Sequence, residues 1–530
     1  MKALNSRALR LSLLMLSVAF IAGADFSSEV PLYGVFEKSV TNRKAYKNPF
    51  DFREVELETT FTSPSGRVVR FRGFYDGDKR WKYRFMPDET GVWKYHWRFS
   101  DRSMKEARGK FNVVAQGALK GVIRAYKKNP RWFAYNGNEP VFIKSYNISA
   151  GGFPAAPLEW TVAHVYRKFL EKGYNHLQLF VLPVDMRLGC TFVDGPEVAR
   201  DPLFTGIEPS KTMNLVVWDR LEEHLGWLND HGIAVHFFKG FDGKDKGPRL
   251  KHMSKRERES YVRYATARLA AFSNICGWNF TWETQGDRME PELMGWLKRD
   301  DPWEHLRTYH DEYPLANHYS NPLYTFAAIE NKGFLSPAKG SLSHHLASLR
   351  AYQGKPVLMS EGNGLWMWAW GANEDEIRRA AWGTTMAGAS FSWNDLTGKS
   401  GECVMTSSDI FHSRADEYLD ILYRVLTKEL VFYRMKPREE LLSGFTGNAY
   451  LLAEKNEQYL VYLEEGGSVT LDLSEAAPTS KFSVNWVDPK SGRQEKAPNP
   501  VQGGDPREFS SPFKGESVLM LRSSSAHVSV

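Results

Sequence analysis

Cysteine is almost missing from this chain. Cys190, Cys276 and Cys403 are the only three in 530 residues, far apart and without C-x-x-C spacing, which excludes a disulfide framework and a zinc ribbon while leaving room for one disulfide. The 14 histidines, His252, His310 and the pair His344-His345 among them, never fall into H-E-x-x-H, so a zinc peptidase is excluded. No G-x-S-x-G forms a hydrolase elbow, and no G-x-G-x-x-G or Walker-type loop supports a doubly wound nucleotide-binding sheet. No dense Lys/Arg stripe offers a nucleic-acid footprint. Beyond the first two dozen residues no apolar run approaches membrane-spanning length. Repeats and low-complexity segments are absent as well.

What the chain has in excess is aromatic side chains. Phe, Trp and Tyr make up 14%, with 17 tryptophans, against 42% hydrophobic and 25% charged residues. That balance is that of a folded, soluble protein, and the length suggests about three domains. Most of the rings are expected inside β-sheet cores, though Trp-rich clefts also suit the apolar faces of sugars.

The amino terminus reads as an export signal. Lys2, Arg7 and Arg10 precede the apolar run Leu11 to Ile21, and Ala22-Gly23-Ala24 offers an A-x-A cleavage site before Asp25. No cysteine stands there to carry a lipid, so residues 1–24 predict a secreted or periplasmic protein, free of the membrane once the signal is cleaved. Their removal takes the formal charge from +6 to +3, a modest balance that leaves an anionic glycan open as partner.

From Val30 to Val114 the periodicity is two. Trp93, Tyr95, Trp97 and Phe99 alternate with Lys94, His96 and Arg98, and Pro64-Ser65-Gly66, Asp76-Gly77-Asp78 and Pro87-Asp88-Glu89-Thr90-Gly91 punctuate the runs. The pattern predicts an antiparallel β-sandwich over residues 25–116. Inward aromatics favour a buttress for the next domain over a glycan binder.

Residues 117–432 change to strand and helix in alternation, which predicts a (β/α)8 TIM barrel with its active residues at the carboxyl ends of the strands. The expected strands are Val141–Tyr146, His176–Leu182, Ile233–Phe238, Asn274–Glu283, Pro314–His318, Thr325–Glu330, the strand ending at Glu361, and Ala389–Trp393. Helices are expected over Trp160–Lys172, Trp218–Asp230, Ser254–Phe272, Glu290–Lys298, Trp303–His310, Ser341–Tyr352 and Asp375–Met386. Residues 433–530 return to short alternating strands, a second antiparallel β-sandwich.

Two of these strands end on acids. Asn274-Ile275-Cys276-Gly277-Trp278-Asn279-Phe280-Thr281-Trp282-Glu283 runs into the polar loop Thr284 to Arg288, and Val357-Leu358-Met359-Ser360-Glu361 is broken at once by Gly362-Asn363-Gly364. Two strand-terminal carboxylates facing one cleft are the equipment of glycoside hydrolysis. Tyr146, Asn147, Asp185, His236, Asn279, Asn317, His318, Glu330, Trp393 and Asp395 are expected to contact substrate around them. Trp366 and Trp368, with Trp370 beyond, offer stacking surfaces in the loop after Glu361. A lone histidine at such a place is more often a hydrogen-bonded structural residue, and Glu330 is the rival carboxylate. No metal or cofactor is expected.

Three stretches resemble known modules. Trp81-Lys82-Tyr83-Arg84-Phe85-Met86-Pro87-Asp88-Glu89-Thr90-Gly91-Val92-Trp93 resembles the accessory sandwich that precedes many bacterial glycoside-hydrolase-like barrels. Trp486-Val487-Asp488-Pro489-Lys490-Ser491-Gly492 resembles the C-terminal β-domain labelled collagen-binding by analogy. With the barrel between them, the chain resembles the apiosidase-like glycoside hydrolases. That resemblance implies Glu283 as acid/base at the fourth strand, where the group writes W-N-x-G-E-E and this chain has Trp282 for the first Glu. It implies Glu361 as nucleophile at the seventh, and a retaining mechanism. The sequence therefore predicts an exported hydrolase acting on a poly- or oligosaccharide. A catalytically silent glycan-binding protein and a polysaccharide lyase are the alternatives.

Overall fold

A computed structural model of the chain describes residues 29–147, 157–180, 191–192, 213–239, 250, 253–280, 289–311, 320–330, 349–350, 354–361, 373–393, 404–405, 410–411 and 413–523. The amino-terminal strands are β1 (Glu29–Pro31), β2 (Phe36–Thr41), β3 (Leu57–Thr62), β4 (Val68–Tyr75), β5 (Arg80–Phe85), β6 (Gly91–Phe99) and β7 (Ala107–Val114). They form one sheet in the order β1-β7-β6-β3-β4-β5-β2. The sheet doubles over its own core, because Phe36 of β2 stacks on Phe111 of β7 with ring centroids 4.0 Å apart. Odd-numbered aromatics of β5 and β6, Trp81, Tyr83, Phe85, Trp93, Trp97 and Phe99, are buried, as a period of two requires. The turn before β6 is tied down by Trp93, whose indole Nε1 donates to the Glu89 carbonyl at 2.8 Å. Gly91 takes φ +112° in that turn, a conformation that side chains resist.

A three-stranded meander follows, β8 (Ile123–Ala125), β9 (Phe133–Tyr135) and β10 (Glu139–Val141). Ile123 and Phe133 share a buried cluster with Ile143, Ala234, Cys276, Leu306, Phe326, Ala328 and Leu358, all at the amino ends of the strands that come next. The meander thereby closes the floor of the central sheet. Burial there pushes the Cys276 thiol up to about 12, which makes it an inert packing residue.

The central strands are β11 (Ser145–Asn147), β12 (His176–Phe180), β13 (Thr191–Phe192), β14 (Ala234–Lys239), β15 (Ile275–Trp278), β16 (Leu306–Arg307), β17 (His310–Asp311), β18 (Ala327–Glu330), β19 (Val357–Glu361), β20 (Ser390–Trp393) and β21 (Val404–Met405). β13 and β21 pair only with each other, and the other nine run β16-β15-β14-β12-β11-β20-β19-β18-β17 in wholly parallel register. The helices between them are α1 (Leu158–Thr161), continued by a π turn into α2 (Arg167–Glu171), then α3 (Leu215–Asp230), α4 (Lys255–Leu269), α5 (Glu290–Asp300), α6 (Glu374–Met386) and α7 (Ala415–Arg424). Capping boxes open α4 at Ser254/Glu257 and α6 at Asn373/Glu376, signals written in the sequence.

Three expectations are corrected. Residues 303–310 are not helical: β16 and β17 occupy that stretch and bring the two edges of the parallel sheet to one short length of chain. Asp301 accepts from the amides of Trp303 and His305, each at 3.0 Å, and Glu304 adopts φ +52°, so a helix cannot propagate. The strand expected over Val141–Tyr146 is split, Val141 ending the meander and Ser145 beginning β11. The strand expected to reach Glu283 ends at Trp278. The expected strand Pro314–His318, and all but Leu349–Arg350 of the helix expected over Ser341–Tyr352, lie outside the described residues.

In the carboxyl-terminal region, Ala449–Glu454, Gln458–Leu463 and Ser517–Ser523 are neighbouring antiparallel strands buried on both faces. Leu451, Val461 and Leu519 pack with a shorter sheet's Val469 and Phe509. The alternate residues Leu452, Tyr462 and Val518 join the main core, where Tyr462 stacks on Trp382 of α6 at 5.6 Å. Arg378 of the same helix pairs with Glu516 at 2.6 Å.

A buried ion cluster clamps the amino-terminal sheet to the central helices. Arg84 of β5 pairs with Glu222 of α3 at 2.7 Å and with Glu37 at 2.6 Å, and donates to the Arg268 carbonyl at 2.7 Å. Arg268 of α4 is fully buried, bonds Glu222 and Asp219, and lies 3.4 Å from Asp76. Burial drives Glu222 upward, but the charges and hydrogen bonds of Arg84 and Arg268 outweigh it and hold its carboxyl below the usual range. A folded-state pKa below the unfolded one contributes stability that is complete above about pH 4.3 and fades as pH falls through the folded value. Acid titration of the wild type should therefore lose stability below about pH 4.3, and Glu222→Gln should remove part of that slope. Denaturation curves across this range check it; equal slopes in both proteins would refute it.

Candidate active site

The carboxyl edge of the parallel sheet is where the described candidates converge, and strand alternation decides which of them face the interior. In β11, Ser145 and Asn147 point inward and Tyr146 outward. In β20, Ser392 points inward and Trp393 outward. Ser145 Oγ donates to Ser392 Oγ at 2.8 Å and shares a hydrogen bond of 2.8 Å with His176 Nδ1. Gln178 of β12 reaches across, its Nε2 donating to Ser392 Oγ and to the Ser360 carbonyl, each at 2.6 Å. Asn147 Nδ2 donates to the same carbonyl at 3.1 Å. Burial pushes His176 down to about 3, so it serves this layer as a neutral ring.

The Ser360 carbonyl is available because β19 bulges there. Its register with β18 runs Ala328↔Leu358 and Ile329↔Met359, then shifts so that Glu330 stands opposite Glu361. Ser360 Oγ holds the shift by donating to the Ile329 carbonyl at 2.9 Å. One added residue thus brings two glutamate backbones level at the carboxyl ends of adjacent strands, a common use of bulges beside active sites.

Three fully buried polar atoms of this interior, Asn147 Oδ1, His176 Nε2 and Gln178 Oε1, have no partner among the described residues. Buried polar atoms are normally satisfied by water or ligand, and Asn147 is the last residue of β11. Gly277 stands level with His236, where a Cβ would come within 2.7 Å of Phe326 and 3.0 Å of His236.

The remaining expectations distribute unevenly. Tyr146 and Trp393 are buried behind the sheet, edge to face at 5.5 Å, and the Trp393 indole donates to the Tyr174 hydroxyl at 2.6 Å. Parity puts these two rings in the helix layer, away from the mouth. His236 is fully buried level with Gln178, below the strand end, which runs on to Lys239. Asn279 is fully buried just beyond β15. Asp185, Glu283, Asn317, His318, Trp366, Trp368, Trp370 and Asp395 lie outside the described residues. Sequence reading passed over Gln178, His176, Ser145, Ser360 and Ser392. Their signal was polar alternation in strands whose parallel neighbours ought to read as continuous apolar runs.

Residues 29–100 match a family model described as a domain of unknown function, DUF5060. A search of the curated proteins finds no match. Among solved structures, a candidate glycoside hydrolase from Bacteroides vulgatus ATCC 8482 superposes with a TM-score of 0.74 at 20% identity, over 94% of this chain and 100% of its own. A second structure, described as a glycoside hydrolase, gives 0.60 at 16% identity over 78% of this chain and 100% of its own. A glycoside hydrolase family 5 protein, also from Bacteroides vulgatus ATCC 8482, gives 0.57 at 17% identity, over 77% of this chain and 95% of its own. These likenesses show a shared multidomain fold built on a TIM-like parallel sheet.

Proposed function

We propose that this protein is an exported glycoside hydrolase of the apiosidase-like group, a closed (β/α)8 barrel between two β-sandwiches. It cleaves a poly- or oligosaccharide with the carboxyl groups of Glu283 and Glu361. The observation that carries the reading is the end of β19: Glu361 terminates a strand at the carboxyl edge of a TIM-like sheet, the edge at which barrels of this kind do their chemistry. In this reading Glu361 stays ionised and attacks the anomeric carbon. Glu283, beside the apolar wall of Trp282, holds the proton that passes to the leaving oxygen and afterwards takes one from water. Retention requires the two carboxyls about 5 to 5.5 Å apart, whereas inversion leaves about 6.5 to 9.5 Å for a water. Glu330, level with Glu361, supplies negative charge at the same edge.

Incubation with a panel of plant and algal glycans is the test, with new reducing ends expected from at least one of them. Binding without cleavage by folded protein would make it a silent glycan-binding protein. Products absorbing in the ultraviolet as unsaturated uronates would make it a lyase.

A further inference from the structure

The amino-terminal sheet has a second face, and its composition is lopsided. Even-numbered residues of β3, β4, β6 and β7 point away from the aromatic core. The register aligns them in rows across the strands: Arg72–Glu58–Arg98, then Arg70–Thr60–His96–Arg108, then Val68–Thr62–Lys94–Lys110. Six permanent cations share this face with the single in-row carboxylate of Glu58.

Three of the six have ion pairs. Arg98 bonds Glu58 at 2.5 Å, and Arg72 bonds Glu56 and Asp300, each at 2.7 Å. Glu106, at the edge, lies 3.1 Å from His96 and 3.7 Å from Arg108. Arg70, Lys94 and Lys110 are exposed and have no ion pair among the described residues, and the Arg108 side chain is 78% exposed. Lys94 stands directly opposite Lys110. Like charges in cross-strand register are destabilising, so the sheet carries a cost that a bound anion would remove.

Strands lie roughly 4.8 Å apart and alternate residues of one strand about 6.8 Å apart, so Lys94 and Lys110 stand as immediate neighbours with Arg108 one alternate position along β7, a cluster that suits a repeating anionic chain. No Phe, Tyr or Trp stands in these rows, and the Thr60 and Thr62 hydroxyls offer hydrogen bonds. At the barrel side the face opens into a cleft of about 550 Å³ lined by Glu58, Thr60, Arg70, Arg98, Arg299 and Asp300, among others. Arg299 and Asp300 belong to the end of α5, so the face is continuous with the central domain.

We infer that this face is a binding surface for an anionic polysaccharide, carrying a carboxylated glycan chain across the accessory domain. The inference rests on the hydrolase reading for the class of ligand and assigns the accessory domain a role beyond buttressing. Affinity electrophoresis of the full chain in polygalacturonate, in neutral hydroxyethylcellulose and with a DNA duplex tests it. Wild type is expected to bind polygalacturonate in a salt-sensitive way and to ignore the neutral glucan. R70Q/K94Q/R108Q/K110Q is expected to bind it roughly tenfold more weakly or worse, whereas K94R/K110R binds as wild type. Undiminished binding by the quadruple variant overturns the inference. Equal retention by DNA at the same ionic strength overturns it too, showing general attraction for polyanions. If no glycan in the panel is cleaved while charge-dependent polygalacturonate binding persists, the hydrolase reading fails and this one stands. If cleavage proceeds without such binding, this one fails alone.

Discussion

Glu361→Gln and Glu283→Gln are each expected to lower turnover on the responsive glycan by several orders of magnitude, because in the proposed mechanism the two acids perform different halves of one displacement. Glutamine keeps the volume and the neutral hydrogen bonds of the side chain while removing the charge that attacks and the proton that is donated. Melting temperature should move little, since the described contacts that hold β19 in place come from its neighbours: the Ser360 hydroxyl on the Ile329 carbonyl and the Asn147 and Gln178 amides on the Ser360 carbonyl. The two variants should also differ. Loss of a general acid spares substrates with good leaving groups, so an aryl glycoside of the responsive sugar should be cleaved better by Glu283→Gln than by Glu361→Gln. Wild-type rates in both would remove these residues from the mechanism, and an equal loss in Glu330→Gln alone would move the nucleophile to β18.

The second large effect is on stability. Arg268→Leu is expected to cost about 3 to 5 kcal/mol, as breaking a buried ion pair from one side does. It would leave the buried Glu222 facing Arg84 alone, while Asp76 keeps Arg80 and Lys82. Urea denaturation followed by tryptophan fluorescence reads this as an early shift or as a separated transition. The control is Lys44→Ala, which breaks the exposed pair with Asp101 at 2.7 Å and should cost less than about 1 kcal/mol. A shift in Arg268→Leu no larger than in that control would mean that the clamp contributes orientation without stability.

Much of the architecture was legible because periodicity reports directly on burial. Trp93, Trp97 and Phe99 announced the core face of β6, the alternation of strand and helix announced α4 and α6, and Val357–Glu361 is a strand ending on its acid. Residues 303–310 were misread as a helix because a short side-chain-capped turn at Asp301 and one left-handed residue at Glu304 cancel a helical pattern locally. Tyr146 and Trp393 were misplaced because a strand end names a height in the sheet but not a face.

By itself the sequence determined the class of most described segments and the acids worth suspecting, since alternation and turn chemistry are local properties of the chain. Tertiary structure decided what lies level with what. The extra residue at Ser360 sets Glu361 against Glu330, and parity sends Gln178 inward and Tyr146 outward. Cations that alternate with aromatics along separate strands never form a run in the sequence, yet hydrogen-bonded register gathers them onto one surface, because a sheet brings together residues that only the pairing of distant strands makes neighbours.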